Sequence, residues 1–115
     1  MSKRDWTIFL KDIQTHSKRI ITYTKDLSEQ EFFKDSKTYD AVMRNIQIIG
    51  EAIKHLPSEI RKEYKNIDWK KAAGMRDIVV HEYFGINKDI IWDVISNKIP
   101  ELEKEVKKIL KEIKK

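Results

Sequence analysis

Asp40-Ala41-Val42-Met43-Arg44-Asn45-Ile46-Gln47-Ile48-Ile49-Gly50-Glu51-Ala52-Ile53 is the stretch whose reading decides the fold. Val42, Asn45/Ile46, Ile49, Ala52/Ile53 and then Leu56 recur at spacings of three and four. That period winds a mostly apolar stripe along one side of a helix. The helix begins near Ser36 or Thr38. Pro57 ends it, because the residue before a proline is pushed out of the α region.

The same period continues outward in both directions. Toward the N-terminus, Trp6, Leu10, Ile13, Ser17, Ile20, Thr24 and Leu27 mark a first helix over about 5–25. Ser28-Glu29-Gln30-Glu31 matches a capping box and opens a short turn that carries Phe32 and Phe33. Toward the C-terminus, Ser58 to Tyr64 gives one or two helical turns. Asp68 is placed to cap a third helix reaching Tyr83 or Phe84, with Gly85 as its C′ residue. Asn87 caps a fourth helix carrying Ile90, Ile91, Val94 and Ile95. Pro100 breaks or kinks that pattern and suits the first turn of a last helix, which carries Leu102, Val106, Ile109/Leu110 and Ile113. No strand alternation, repeat or low-complexity linker intervenes. The expected fold is an all-α antiparallel bundle of four to five helices, one domain over residues 1–115.

Composition agrees. Charged residues make up 37% of the 115, with three glycines and two prolines, which favours long helices and short connections. A chain of this length can bury a core without covalent staples. It has no cysteine, which removes disulfides and thiolate metal sites and points to a reducing compartment. No leader-like apolar stretch and no membrane-length apolar run is present, so the expected location is the cytoplasm. The net charge of +5 permits a polyanionic partner. Much of it comes from Lys104, Lys107, Lys108, Lys111, Lys114 and Lys115, which read first as the solvated face of the last helix.

Chemistry has one place to sit. The sequence lacks a glycine-rich phosphate loop, a serine elbow and a paired-histidine zinc motif. His16, His55 and His81 are far apart, so no metal site is expected. Within Arg76-Asp77-Ile78-Val79-Val80-His81-Glu82-Tyr83, Asp77 and His81 lie four apart on one helix face. A carboxylate there holds the imidazole and favours its protonated form. Arg76 stands about 140° around the axis from His81, with a stem long enough to reach the same mouth. Tyr83 adds a phenol. Histidine exchanges protons near neutral pH, and arginine grips a phosphate with two prongs. Those are the two parts that a metal-free phosphodiester cleavage needs. An ordinary surface network uses the same residues, and spacing alone leaves both readings open.

Arg76 to Tyr83 is similar to the R-x4-H-x-Y form of the motif of HEPN domains. The likeness extends to Asp40 through Ala52, to Ile67-Asp68-Trp69, to Gly74-Met75-Arg76-Asp77 and to His81-Glu82-Tyr83-Phe84-Gly85-Ile86. In order and spacing these blocks resemble the HepT-like family over about residues 5–112. The resemblance implies a metal-independent ribonuclease toxin without a cofactor, working on RNA as a homodimer whose two motifs face one another. It implies Arg76 and His81 as the catalytic pair, Asp77 as their support, and Tyr83 as the residue to which a minimal nucleotidyltransferase antitoxin attaches AMP. A binding module that partners a nucleotidyltransferase and cuts nothing is the alternative. Asn45 and Glu51 match polar family positions; a structural hydrogen bond and a place in the cleft are equal readings for them. Of the aromatics Phe32, Phe33, Trp69, Phe84 and Trp92, most are expected in the core and one or two at a dimer interface.

Overall fold

The computed structural model describes residues 3–77 and 87–113. Among them the only regular elements are helical: α1 Lys3–Thr24, α2 Glu29–Lys34, α3 Ser36–Lys54, α4 Ser58–Glu63, α5 Trp69–Gly74, α6 Lys88–Asp93, a π-turn Val94–Lys98, and α7 Ile99–Ile113. The chain is all-α, and its length is carried by three long helices with short ones between them.

α1 packs most extensively on α3 and next on α7. The direction of the first pair follows from its contacts. His16 bonds Asn45, and Phe9 stacks on His55 at 5.0 Å. One number falls as the other rises, so α1 and α3 run antiparallel. Leu10, Ile13 and Ile20 of α1, Ile46, Ile49 and Ile53 of α3, and Ile99 and Val106 of α7 are fully buried between these helices. Each such side chain contributes about 1.5–3 kcal/mol relative to exposure. The stripes expected from the sequence are the buried faces.

The caps at Ser28 and Asn87 fall where expected, and Asp35 adds one that the sequence reading did not single out. Ser28 and Glu31 form the reciprocal box: the Glu31 N–H donates to the Ser28 hydroxyl at 3.1 Å, and the Ser28 N–H donates to the Glu31 carboxylate at 2.9 Å. Asp35 starts α3 by accepting the Thr38 N–H at 3.1 Å and the Thr38 hydroxyl at 2.8 Å. Asn87 caps α6 through the Asp89 N–H at 2.7 Å. Phe32 is buried beneath α3, its ring 5.6 Å from Tyr39 and 5.7 Å from Trp92, while Phe33 and Trp92 are half-buried.

Two elements differ from expectation. The third helix is not one run from Asp68 onward. α5 closes at Gly74, Met75 is its cap, and helical bonding resumes at Arg76. An exposed glycine without a side chain to pack is a weak link in a helix. The expected far end at Tyr83 or Phe84, with Gly85 beyond, lies outside the described residues. Pro100 stands in the first turn of α7, as expected, but no loop separates that helix from α6. Val94–Lys98 instead widens to a π-turn, with the Ile99 N–H bonded to the Val94 carbonyl. A proline ring clashes with the carbonyl four residues earlier, and a wider turn moves that carbonyl away.

Candidate active site

Arg76 is positioned by residues far from it in the chain. Asp68 accepts the Lys71 N–H at 3.1 Å and so begins α5. Trp69 is buried, and its indole N–H donates to the Tyr64 carbonyl at 3.0 Å. That bond ties the start of α5 to the turn after α4. The block Ile67-Asp68-Trp69 thus aims α5, and α5 lies across α3.

The crossing is tight at one point. A Cβ on Gly50 would come within 2.8 Å of the Arg76 Cβ and 3.3 Å of the Ala73 carbonyl oxygen. Inside a helix, glycine is less favourable than alanine by about 0.5–1 kcal/mol. At this position the missing methyl lets the backbone at 73–76 settle onto α3. Arg76 is half-buried there, and Asp77, the next residue, is exposed. A half-buried arginine keeps its apolar stem on the protein and its charge near water, the state in which it can still meet a phosphate. His81 and Tyr83 lie outside the described residues, as does Phe84. The structure therefore gives the seat of Arg76 and Asp77 and no distance from either to His81 or Tyr83.

Asn45 now has a role. It is buried in α3, and its amide donates to the Ala41 carbonyl at 2.7 Å. Its Oδ1 then faces His16 Nδ1 at 2.6 Å, so the imidazole donates through Nδ1 and keeps Nε2 as its second position. The bond joins α1 to α3. Glu51 is exposed on α3, one residue beyond Gly50.

The packing of Gly50 on Arg76 and the bond of His16 to Asn45 were not visible from sequence. Gly50 carried one usable signal: a glycine inside a strong helical pattern costs stability, and it usually has a packing reason. Next to the motif, a groove of about 360 Å3 separates α5 from the π-turn and the start of α7. Met75 and Val94 lie on its floor and Lys71, Lys98 and Glu101 at its rim. Among the described residues, no helix is long and apolar enough to cross a membrane.

Known proteins resemble this chain over most of its length. The Ribonuclease HepT-like family matches residues 13–109. A protein named "Putative RNase" from Methanocaldococcus jannaschii is 46% identical over 113 residues, covering 98% of this chain and 93% of its own. Another of that name, from Caldanaerobacter subterraneus subsp. tengcongensis, is 45% identical over 106 residues, covering 92% of this chain and 95% of its own. A "Probable ribonuclease HepT" from Thermococcus cleftensis is 34% identical over 109 residues, covering 95% of this chain and 99% of its own. No solved structure gives a significant match. With a match across most of its length and relatives of nearly equal size, the chain belongs to the HepT-like ribonucleases.

Proposed function

We propose that this ribonuclease is the toxin of a two-component pair, cutting RNA in the cytoplasm without a metal ion, as a homodimer in which each chain supplies Arg76 and His81. The observation that carries the reading is Arg76 held against α3, at the head of the run Arg76-Asp77 … His81 … Tyr83, in a chain of a ribonuclease family. In the reaction, the 2′-oxygen of the RNA bonds to the neighbouring phosphorus as the bond to the 5′-oxygen breaks. The proton leaves the 2′-hydroxyl and one is returned to the departing 5′-oxygen, giving a cyclic phosphate and a free 5′-hydroxyl. His81 handles protons, since an imidazole can take and give them near neutral pH. Arg76 stabilises the extra negative charge on the crowded phosphate. Asp77, next to Arg76 in the chain, supports the pair.

Removing one contact of this kind costs on the order of 100-fold in rate or more. Arg76→Ala and His81→Ala are expected to lose RNA cleavage by that amount while keeping the parent's circular dichroism. The measurement is single-turnover cleavage of an RNA oligonucleotide with a chelator present. Cleavage by both variants at the parent's rate would overturn the assignment. Cleavage that stops for the parent when the chelator is added would overturn the metal-free step.

Tyr83 is the proposed switch. AMP on its phenol would set a bulky anion near Arg76 and His81, where it competes with the substrate phosphate by charge and volume. Incubation with ATP and a nucleotidyltransferase encoded beside this gene should raise the protein's mass by one adenylyl group. Tyr83→Phe should not shift, and the modified chain should not cut. A shift that persists in Tyr83→Phe would move the modification to another residue.

A further inference from the structure

The two glycines among the described helices stand in opposite surroundings. Gly74 meets nothing within 4 Å of where a Cβ would be, whereas at Gly50 that atom would sit 2.8 Å from the Arg76 Cβ, 3.3 Å from the Ala73 oxygen and 3.5 Å from the Arg76 Cγ. Gly50 is buried, inside a 19-residue helix. The atoms it faces are no flexible tip. The Arg76 Cβ is bonded to the backbone, so it can retreat only if the segment carrying it retreats. Carbon atoms rest about 3.5–4.0 Å apart. A methyl at position 50 would thus displace the base of Arg76 by roughly 1 Å.

We infer that Gly50 is a positioning residue for the cleavage reaction: the bare backbone of α3 at this point fixes where Arg76 stands. The inference rests on Arg76 being the phosphate-stabilising residue. A side chain that stabilises a transition state acts over a narrow range of geometry, and a misplacement of about 1 Å can cost on the order of 100-fold. Gly50 touches no substrate and acts only through the residue packed on it. Its other effect, on helix propensity, has the opposite sign: alanine is the better helix former at this position. A loss of activity on adding a methyl would therefore come from the crossing and not from a weaker helix.

The test is a set of five chains assayed on one RNA oligonucleotide: the parent, Gly50→Ala, Gly74→Ala, Arg76→Ala and the double variant Gly50→Ala/Arg76→Ala. Gly50→Ala is expected to lower kcat on the order of 100-fold with KM changed less than about 3-fold, at unchanged helical dichroism. Gly74→Ala adds the same methyl two residues before Arg76 into open space and is expected to cut like the parent. The double variant is expected to cut no more slowly than Arg76→Ala, because residues that act through one another do not give independent losses. Gly50→Ala at the parent's kcat, while Arg76→Ala is impaired, overturns the inference and leaves the assignment of Arg76 intact. A double variant whose loss is the product of the single losses also overturns it. Arg76→Ala at the parent's rate overturns the assignment itself, and the inference with it. If Gly50→Ala loses its helical signal, Gly50→Ala/Arg76→Gly, which lacks the opposing Cβ and keeps only the milder approach to the Ala73 oxygen, should regain part of it; no recovery at all overturns the proposed contact.

Discussion

Asn45 spends both ends of its carboxamide inside the protein: the amide on the Ala41 carbonyl, the oxygen on His16. Truncation to alanine leaves the imidazole N–H facing a gap at the junction of α1 and α3. A fully buried donor without its acceptor costs about 1–3 kcal/mol, and the half-buried His16 stands at the low end of that range. Asn45→Ala is therefore expected to lower Tm by several degrees, with cleavage per folded chain preserved. A thermal melt beside an assay at low temperature separates the two. If cleavage instead fell with stability unchanged, Asn45 would belong to the cleft. From sequence these two roles were equal, because the partner stands 29 residues away and no local rule joins them. Gly50 was opaque for the same reason. Its neighbour Arg76 is remote in the chain, and only the crossing of two segments brings them together. The spacing of Arg76, Asp77 and His81 can be read directly from the sequence, whereas the seat of Arg76 on α3 cannot.

At the scale of elements, short-range chemistry was readable and responses to strain were not. The capping box at Ser28–Glu31 and the cap at Asp68 involve residues three apart, so the sequence displays them directly. The π-turn before Pro100 does not appear in any spacing of apolar residues. It is the chain's answer to a missing N–H and a ring that needs room. The caps also predict how the protein meets acid. The Ser28 N–H holds the Glu31 carboxyl below the usual range, and the Thr38 N–H and hydroxyl do the same for Asp35. Both groups favour their charged form in the folded chain. The stability they lend is thus full above the ordinary carboxylate pKa, about 4, and is lost as pH falls through their lower folded values. Helical dichroism at a fixed temperature should hold from pH 7 to about 4 and decline below it. In Glu31→Gln and Asp35→Asn the cap contribution to that decline should be missing. An unchanged acid profile in both variants would show that the caps add nothing to it.

For the molecule as a whole, the all-α bundle was legible because its helices are long and amphipathic. Leu10, Ile13, Ile46, Ile49, Leu102 and Val106 each announce the buried face by period alone. What period does not supply is the relation between chains. The proposed cleft takes its two halves from two copies, so activity per chain should fall on dilution, in step with the loss of dimer measured by light scattering. Constant specific activity across the monomer–dimer transition would mean that one chain holds a complete site. Arg76→Ala should leave that transition where it is, because the arginine stem lies on its own α3.

The bare backbone at position 50 carries a lesson for lineages as well as for this chain. Helix propensity alone would favour alanine over a glycine inside a helix. While Arg76 must sit where it does, that replacement is barred. Once a descendant no longer cuts RNA and survives as a binding partner, the segment at 73–76 is free to retreat from α3, and alanine at 50 can then be accommodated and improve the helix. Positions 50 and 76 should therefore change together across descendants, and alanine at 50 would be a mark, readable without any assay, of members that have given up cleavage.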